Sequence, residues 1–507
     1  MAVIVETASG RVRGTEERGV SIFKGIPYAA PPLGENRFRP PRKVEPWTGV
    51  RDALSYGNQA IQDDNVFNLP PDLLPIVPLS GVEKTSEDCL TLNVWTSGTS
   101  GSKRPVLFWC HGGAFLVGSG SSPWYDGANL CRLDDVVVVT FNHRLGALGY
   151  LHLADIAPET ARDFEGAGTA GMRDIVAALE WVRDNIASFG GDPGNVTIFG
   201  ESGGGAKVSV LLALPAAKGL FHKAVIQSGP AVQMATREDG TKTALQVLAE
   251  LGLGEKDVAK LRALPAEKIL AAQGVVQARA ASGPMSERRR RGFNPVIDGA
   301  YFPGGPFNPD APSVSAHVPL MIGTNKDEQS LFLGHLPWVT GATFDNLPMA
   351  MKPVLGDRAA EIVAKYRAAQ PNLPADQLGL ILMGELGQRL PSLQMAERKL
   401  ALKAADVFVY LFTWETPVLG GRLRACHTLE IPFVFNTVEN AAITGDDPSR
   451  LPLGKTMAGA WIAFAKTGNP GWKAYDTTTR PTMVFDLESR VENDPFGTER
   501  KIWEDKG

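Results

Sequence analysis

The segment at residues 194–215 constrains the fold more than any other part of the chain. It reads GNVTIFGESGGGAKVSVLLALP, with an apolar stretch at 196–199 that predicts a buried strand and a later apolar run that predicts a helix. Between them lies a Gly-x-Ser-x-Gly motif, whose small residues allow a sharp turn around Ser202. A serine at a strand–turn–helix junction is typical of a nucleophile elbow. The segment therefore predicts an α/β fold with Ser202 at the carboxyl edge of a sheet.

Other short apolar runs have the character of buried strands. They are β-branched or aromatic and bounded by Gly, Pro, Asn or Asp, which predicts strands at 106–110, 136–141, 224–227, 319–322 and 407–412. Helical patterns lie between several of them, and in RDIVAALEWVRDNIASFGG the residues Ile175, Leu179, Val182 and Ile186 fall on one face. Strands that alternate with helices predict a central, mostly parallel sheet covered by helices.

Two longer segments interrupt this alternation. Residues 231–294 and 344–406 have mainly helical patterns, and the strand pattern resumes after each. We expect residues 1–507 to form one unit in which these segments are helical insertions above the sheet edge, forming cap or regulatory regions.

The composition excludes several classes of protein. A net charge of -4 gives no reason to expect nucleic acid or an anionic membrane as a partner. No stretch approaches the ~20 apolar residues of a membrane span, and the N-terminus lacks the features of a leader. The arginine-rich stretch at 286–292 is expected to be a solvated loop. We expect a soluble, cytoplasmic protein.

The cysteines favour the same compartment. They lack CxxC spacing and a histidine-rich neighbourhood, which argues against a zinc site. A sparse spread is typical of reduced, mostly buried thiols. The four residues are Cys89, Cys110, Cys131 and Cys426.

A serine nucleophile needs a base, and a nucleophile elbow predicts the chain order serine, acid, histidine. His335 and His427 both lie downstream, and His427 is the better candidate because it follows a glycine-rich loop just after the strand at 407–412. Asp327 and Glu328 follow the strand at 319–322, and either carboxylate could orient the imidazole. The residues alone leave the choice between them open.

The sequence indicates an oxyanion site and a substrate pocket less clearly than it indicates the nucleophile and its base. The stretch VLFWCHGGAFLVGSG is a strand that ends in small residues at 112–114, where backbone N–H groups can approach a substrate oxygen. Phe115, Leu116 and the apolar, proline-broken loop around 67–77 are candidates for the lining of a hydrophobic substrate pocket.

The sequence resembles the type B carboxylesterase family, which includes the cholinesterases, over nearly its whole length. The motifs that carry the resemblance are FKGIPYAAPPLGENRFRPP, EDCLTLNVW, HGGAF, FNHRLGALGYL, FGGDPGNVTIFGESGG, QSG, TNKDEQSLF and CHTLEIPFVF. The resemblance implies an α/β-hydrolase fold with Ser202 as nucleophile, Glu328 as acid and His427 as base. It also implies oxyanion donors at the backbone of Gly113, Ala114 and Gly203, and a supporting hydrogen-bond network that includes Glu201 and Ser228.

Three departures from the family pattern stand out. The family usually has glycine where Ala114 stands and alanine where Gly203 stands, but neither swap removes a backbone N–H. Lys207, early in the helix after the serine, is expected to be a paired or solvated charge. Secreted animal members pair the EDCL cysteine with an earlier one, and Cys89 has no earlier partner here. This implies a bacterial-type member in a reducing compartment.

We therefore expect a carboxylic ester hydrolase that works through an acyl-enzyme on small or medium apolar or aromatic esters. The same machinery tuned to carbamates, amides or polyester fragments is an alternative, and a non-catalytic binding module is a minor one. No metal or organic cofactor is expected. The expected partner is a small-molecule ester, with no nucleic acid and no membrane, and the protein is expected to be a monomer or homodimer.

Overall fold

A long mixed sheet forms the centre of the computed structural model, which describes residues 1–78, 80–282 and 292–504. Twelve strands follow one another in the order β1-β2-β3-β5-β7-β6-β8-β9-β12-β13-β14-β15, and β4 pairs with β2. The short strands β10 and β11 form a separate parallel pair. The strands are β1 (Ala2–Thr7), β2 (Gly10–Glu17), β3 (Val20–Pro27), β4 (Val50–Asp52), β5 (Thr91–Thr96), β6 (Arg104–Cys110), β7 (Val137–Phe141), β8 (Gly191–Glu201), β9 (Lys223–Gln227), β10 (Ala235–Thr236), β11 (Val296–Ile297), β12 (Leu320–Asn325), β13 (Val407–Phe412), β14 (Pro481–Phe485) and β15 (Arg490–Asn493).

The middle of the sheet is parallel, whereas its margins are antiparallel except for the parallel pairing of β2 with β4. The seven strands from β7 through β14 in sheet order run parallel, and they include all six strands predicted from the sequence. The antiparallel pairs lie outside them. This architecture confirms the predicted α/β fold with a mostly parallel central sheet.

The two faces of the sheet bury different side chains. In β6, Val106 and Phe108 belong to one apolar cluster, whereas Leu107 and Trp109 belong to another. Alternate residues of a strand point to opposite faces, so each face of the sheet has its own core. Because both faces are buried, the central strands are continuous apolar runs rather than alternating ones, which is why the sequence marks them clearly.

Helices cover these faces and form much of the described part of the two segments predicted to be insertions. A third apolar cluster joins helices of the second segment to Ile502 in the last helix of the structure. The division of the chain into one unit with cap insertions stays a prediction. The helices are α1 (Ala128–Leu133), α2 (Gly146–Tyr150), α3 (Ala170–Asn185), α4 (Gly203–Ala213), α5 (Arg237–Glu250), α6 (Ala266–Ser282), α7 (Ser330–Leu333), α8 (Pro337–Thr340), α9 (Leu347–Leu355), α10 (Ala359–Ala369), α11 (Ala375–Gly384), α12 (Leu390–Ala401), α13 (Ile431–Val434), α14 (Arg450–Thr467) and α15 (Gly497–Glu504).

All four cysteines are free and buried, as their spacing predicted. Within the described ranges, no helix has the length and apolar character needed to cross a membrane. The arginine-rich stretch expected to be a solvated loop lies outside the described residues except for Gly292.

A buried ion pair fixes the loop after β7 to α3. The Arg144 guanidinium donates to both carboxylate oxygens of Asp174 at 2.6 and 2.8 Å, and the Arg144 backbone N–H donates to the same carboxylate at 3.1 Å. The Asp174 side chain is fully buried and that of Arg144 is 4% exposed. A buried charge that loses its partner is strongly destabilising.

We expect Asp174→Asn to lower the free energy of unfolding by roughly 3–5 kcal/mol, because it leaves the Arg144 cation buried and unpaired. Asp184→Asn is the matched control, since the Arg183–Asp184 pair is about half exposed. That control should cost less than about 1 kcal/mol. Urea unfolding monitored by circular dichroism measures both changes, and equal losses in the two variants would contradict the account.

Candidate active site

Ser202 lies at the junction predicted from the sequence. It follows β8 directly, and α4 begins at the next residue. Its backbone has φ 55° and ψ −121°, a strained conformation for a residue other than glycine. The turn is packed so tightly that a Cβ on Gly204 would lie 1.9 Å from the Cys110 carbonyl oxygen. The first N–H groups of α4 have no partner within the helix, so its positive end lies next to the serine.

His427 and Glu328 are in contact. The Nδ1 atom of His427 lies 2.6 Å from Oε2 of Glu328, and both side chains are buried. Asp327 carries the alternative carboxylate. Its backbone N–H donates to the Ala425 carbonyl, and burial raises the pKa of its side chain to about 6. His335 is exposed. Of the candidates left open by the sequence, the structure therefore pairs His427 with Glu328.

The second ring nitrogen of His427 contacts a second carboxylate. Oε1 of Glu201 lies 3.1 Å from Nε2 of His427, as a close ion-pair contact without directed hydrogen-bond geometry. In the described part of the chain, no hydrogen bond joins Ser202 Oγ to His427. Such catalytic bonds are often long in unliganded enzymes and tighten in substrate complexes.

Ser228 does not take the place that the resemblance implied. Its side chain is buried, but its hydroxyl has no hydrogen-bond partner among the described residues and is not bonded to His427. Ser228 instead lines the cavity beside Ser202. Of the two supporting residues, the structure thus brings only Glu201 to the histidine.

The charges around His427 set its protonation. Burial by itself lowers the pKa of this histidine, but the carboxylates of Glu201 and Glu328 outweigh that effect and raise the pKa to about 9. Burial also raises the pKa of Glu201, while the nearby His427 cation opposes that rise. The two carboxylates therefore stabilise the imidazolium that forms when His427 accepts a proton.

A network of buried hydrogen bonds behind Glu328 was not predicted from the sequence. Trp461 Nε1 donates to Gln227 at 3.1 Å, and Gln227 donates to Glu430 at 3.1 Å. Asn325 donates its side-chain amide to Glu430 at 2.7 Å and its backbone N–H to Glu328 at 2.8 Å. This network ties the acid to β9, β12 and α14. Its only sequence signal is a single polar residue at the end of each of several apolar runs.

The oxyanion candidates converge at one place. Gly113 and Ala114 both have positive φ, at 83° and 53°. A Cβ on Gly203 would lie 2.4 Å from the backbone nitrogen of Ala114, so these amides are close neighbours. Among the described residues, none accepts a hydrogen bond from the N–H of Gly113, Ala114 or Gly203. Three backbone donors are therefore available near Ser202.

A cavity of about 630 Å³ opens beside Ser202. Phe115 and Leu116 line it, as predicted. No residue of the loop at 67–77 belongs to the described lining, because Leu69, Leu73 and Val77 pack into the core instead. The rest of the lining comes mainly from the two predicted insertions and comprises Ala206, Gly229, Pro230, Ala231, Val232, Gln233, Met234, Gln277, Phe293, Asn294, Gly387 and Gln388.

The loop at 67–77 reaches the site indirectly. The Phe67 ring lies 6.0 Å from the Phe332 ring, which in turn lies 5.2 Å from the His427 ring. A short π-helix, Glu385–Arg389, brings Gly387 and Gln388 to the cavity. Such π-helical turns often occur at functional sites.

Contrary to expectation, Lys207 is not solvated, and no carboxylate of the described residues forms an ion pair with it. It is fully buried, and its ammonium donates to the carbonyl oxygens of His111 and Ala114, each at 2.9 Å. The expectation was wrong because lysine is almost never fully buried in proteins. Its hydrogen-bond acceptors are backbone carbonyls of a loop that is distant in sequence, so the residues around 207 do not indicate them.

Known proteins resemble this chain over nearly its whole length. Residues 1–503 match the family model described as the Carboxylesterase family. The chain is 39% identical to a para-nitrobenzyl esterase of Bacillus subtilis, with 99% of each chain covered. It is 34% identical to a phenmedipham hydrolase of Pseudarthrobacter oxydans, with 92% of this chain and 90% of that protein covered. Among solved structures, a carboxylesterase of Geobacillus stearothermophilus superposes with a TM-score of 0.84 at 39% identity, covering 99% of each chain.

We expect Glu201→Gln to lower the pKa of His427 by about 1–3 units, because the substitution removes one of the charges that stabilise the imidazolium. The imidazole then loses its proton at lower pH than in the wild type. Histidine-selective ¹³C NMR titration measures the midpoint. Asp327→Asn is the matched control, since it neutralises a nearby buried carboxylate that does not contact the ring. An unchanged midpoint in Glu201→Gln would show that Glu201 does not stabilise the cation.

Proposed function

The chain belongs to the carboxylesterase family and is a serine carboxylic ester hydrolase, and we propose that Ser202, His427 and Glu328 are its catalytic triad. The observation that carries the proposal is the 2.6 Å contact of Glu328 with His427 Nδ1, beside the elbow that presents Ser202 to the cavity. In this proposal Glu328 holds Nδ1 and so fixes the orientation of the imidazole, and proton transfer takes place at Nε2.

The proposed reaction has two acyl-transfer steps. His427 accepts the Ser202 proton as Oγ attacks the ester carbonyl carbon, and it then protonates the leaving alcohol as the carbon–oxygen bond breaks. Water attacks the acyl-enzyme in the second step, again giving its proton to His427. Ser202 regains a proton when the acid leaves. The imidazolium formed in each step is stabilised by Glu328 and Glu201.

The backbone N–H groups of Gly113, Ala114 and Gly203 are the proposed oxyanion donors. They are free of other acceptors in the described structure and lie at the positive end of α4. Removing one such donor in a serine hydrolase costs about 2.7–4 kcal/mol of transition-state stabilisation. The donors are backbone N–H groups, which alanine at 114 and glycine at 203 both supply.

We propose that the substrates are small or medium apolar or aromatic esters. The cavity has about 630 Å³, and none of its described lining residues carries a charge. The apolar side chains in its wall include those of Phe115, Leu116, Met234 and Phe293. Burying an unpaired charge against such a wall is costly, which favours neutral substrates. The two insertions supply half of the described lining residues, and we propose that they act as the cap.

Carbamate cleavage is a second candidate. The relative from Pseudarthrobacter oxydans is a hydrolase of phenmedipham, a carbamate. The triad chemistry is the same, with a carbamoyl-enzyme in place of the acyl-enzyme. The two candidates are distinguished by comparing kcat/KM for an ester and a carbamate that share the same leaving group. Amide and polyester-fragment cleavage, the monomer or homodimer state and the cytoplasmic location stay predictions.

We expect Ser202→Ala to lose on the order of 10⁴-fold or more of kcat, because the nucleophile is removed while the fold remains. A p-nitrophenyl ester series from acetate to decanoate measures the rates, and the wild type should prefer short to medium acyl chains. Ser209→Ala is the matched control in the same helix, since its buried hydroxyl only bonds the Gly205 carbonyl. Wild-type rates in Ser202→Ala would overturn the triad.

A further inference from the structure

Lys207 is a buried cationic side chain that the triad does not use. It lies in α4 about one turn after Ser202, and it is fully inaccessible to solvent. Its ammonium donates to the carbonyls of His111 and Ala114 at 2.9 Å each and lies 5.5 Å from the centre of the Phe115 ring. All three contacts are with the loop that follows β6. No carboxylate of the described chain lies within ion-pair distance of it.

The loop lies against the start of α4 because two glycines allow it to. A Cβ on Gly203 would lie 2.2 Å from the Ala114 carbonyl oxygen, and a Cβ on Gly204 would lie 1.9 Å from the Cys110 carbonyl oxygen. Residues three and four apart share a helix face, so Lys207 projects from the face that the glycines leave bare. The glycines permit the close approach, and the lysine supplies the bonds.

The two bonded carbonyls bracket the oxyanion segment. The His111 carbonyl precedes Gly112 and Gly113, and the Ala114 carbonyl follows them. Between these points Gly113 and Ala114 adopt positive φ angles, which are unfavourable for a residue such as alanine. Holding both ends of a four-residue segment restricts the rotations that would turn its N–H groups away from Ser202.

We propose that Lys207 is a positioning residue that holds the 111–114 loop in the conformation needed for transition-state stabilisation. The inference rests on the proposed oxyanion role of Gly113 and Ala114. Lys207 does not touch the reacting atoms and acts through the backbone of the loop. Its contact with Phe115 also joins the loop to the wall of the substrate cavity.

The bonds do not require a charged lysine. Burial lowers the pKa of Lys207 to about 7. A neutral amine keeps two N–H donors, and the loop offers it two carbonyl acceptors. The same contacts persist in both protonation states, so the loop stays in place as the pH passes through neutrality.

The test is Lys207→Met, which keeps most of the buried volume and removes both donors. A misplaced oxyanion loop should lower kcat on p-nitrophenyl acetate by about 10²-fold, because an error of about 1 Å in position has that effect. KM should change by less than about threefold, since the loop acts in the transition state. The affinity for a trifluoromethyl ketone, which adds to the serine as a tetrahedral oxyanion, should fall in parallel with kcat.

Lys399→Met is the matched control. Lys399 is also buried and also donates to two backbone carbonyls, those of Ser315 and Ala316, but it lies in α12 away from the site. Its loss should lower the melting temperature and leave kcat and ketone affinity at wild-type values. Lys207→Gln retains a shorter donor, and its kcat should lie between those of Lys207→Met and the wild type.

Each outcome decides the proposal. Folded Lys207→Met with wild-type kcat and ketone affinity would overturn it, and so would equal losses of kcat in Lys207→Met and Lys399→Met. If neither Lys207 variant folds while Lys399→Met does, Lys207 serves folding and the positioning role is wrong. Failure of the proposed triad is separate, because it would appear as wild-type rates in Ser202→Ala.

Discussion

The close approach of the loop after β6 to the turn between β8 and α4 is the constraint on which the site depends. At Gly204 the two backbones leave no room for a Cβ. This contact puts the free N–H groups of the loop beside those at the start of the helix and beside Ser202. The parallel sheet makes it possible, since β6 and β8 are hydrogen-bonded neighbours whose carboxyl ends meet at one edge.

Buried charged side chains are a second feature of this edge of the sheet. One imidazole lies between Glu201 and Glu328, and Glu430 is held behind them by the amides of Gln227 and Asn325. Such groups stabilise little by themselves, because desolvation opposes their attraction. Their arrangement instead fixes the position of His427 and favours its cation. A site that must repeatedly form an imidazolium benefits from carboxylates that are already in place.

The sequence predicts those parts of the fold whose causes are local. The central strands are buried on both faces, so β6 and β13 appear as unbroken apolar runs, and the turn at Ser202 demands small neighbours. The hydrogen-bond network from Trp461 to Glu328 and the bonds of Lys207 were missed, because all of their links except the local Asn325–Glu328 bond join residues more than 90 positions apart. The cavity wall was only half predicted: Phe115 adjoins a motif, whereas Gln388 reaches the site through a π-helix.

The central claim is that Ser202 is the nucleophile. Its most direct test is intact-mass analysis after incubation with a fluorophosphonate, followed by peptide mapping of the adduct. The account predicts one adduct, on Ser202, formed in step with the loss of ester hydrolysis. A folded, active protein that takes up no adduct, or one labelled at a different residue, would contradict it.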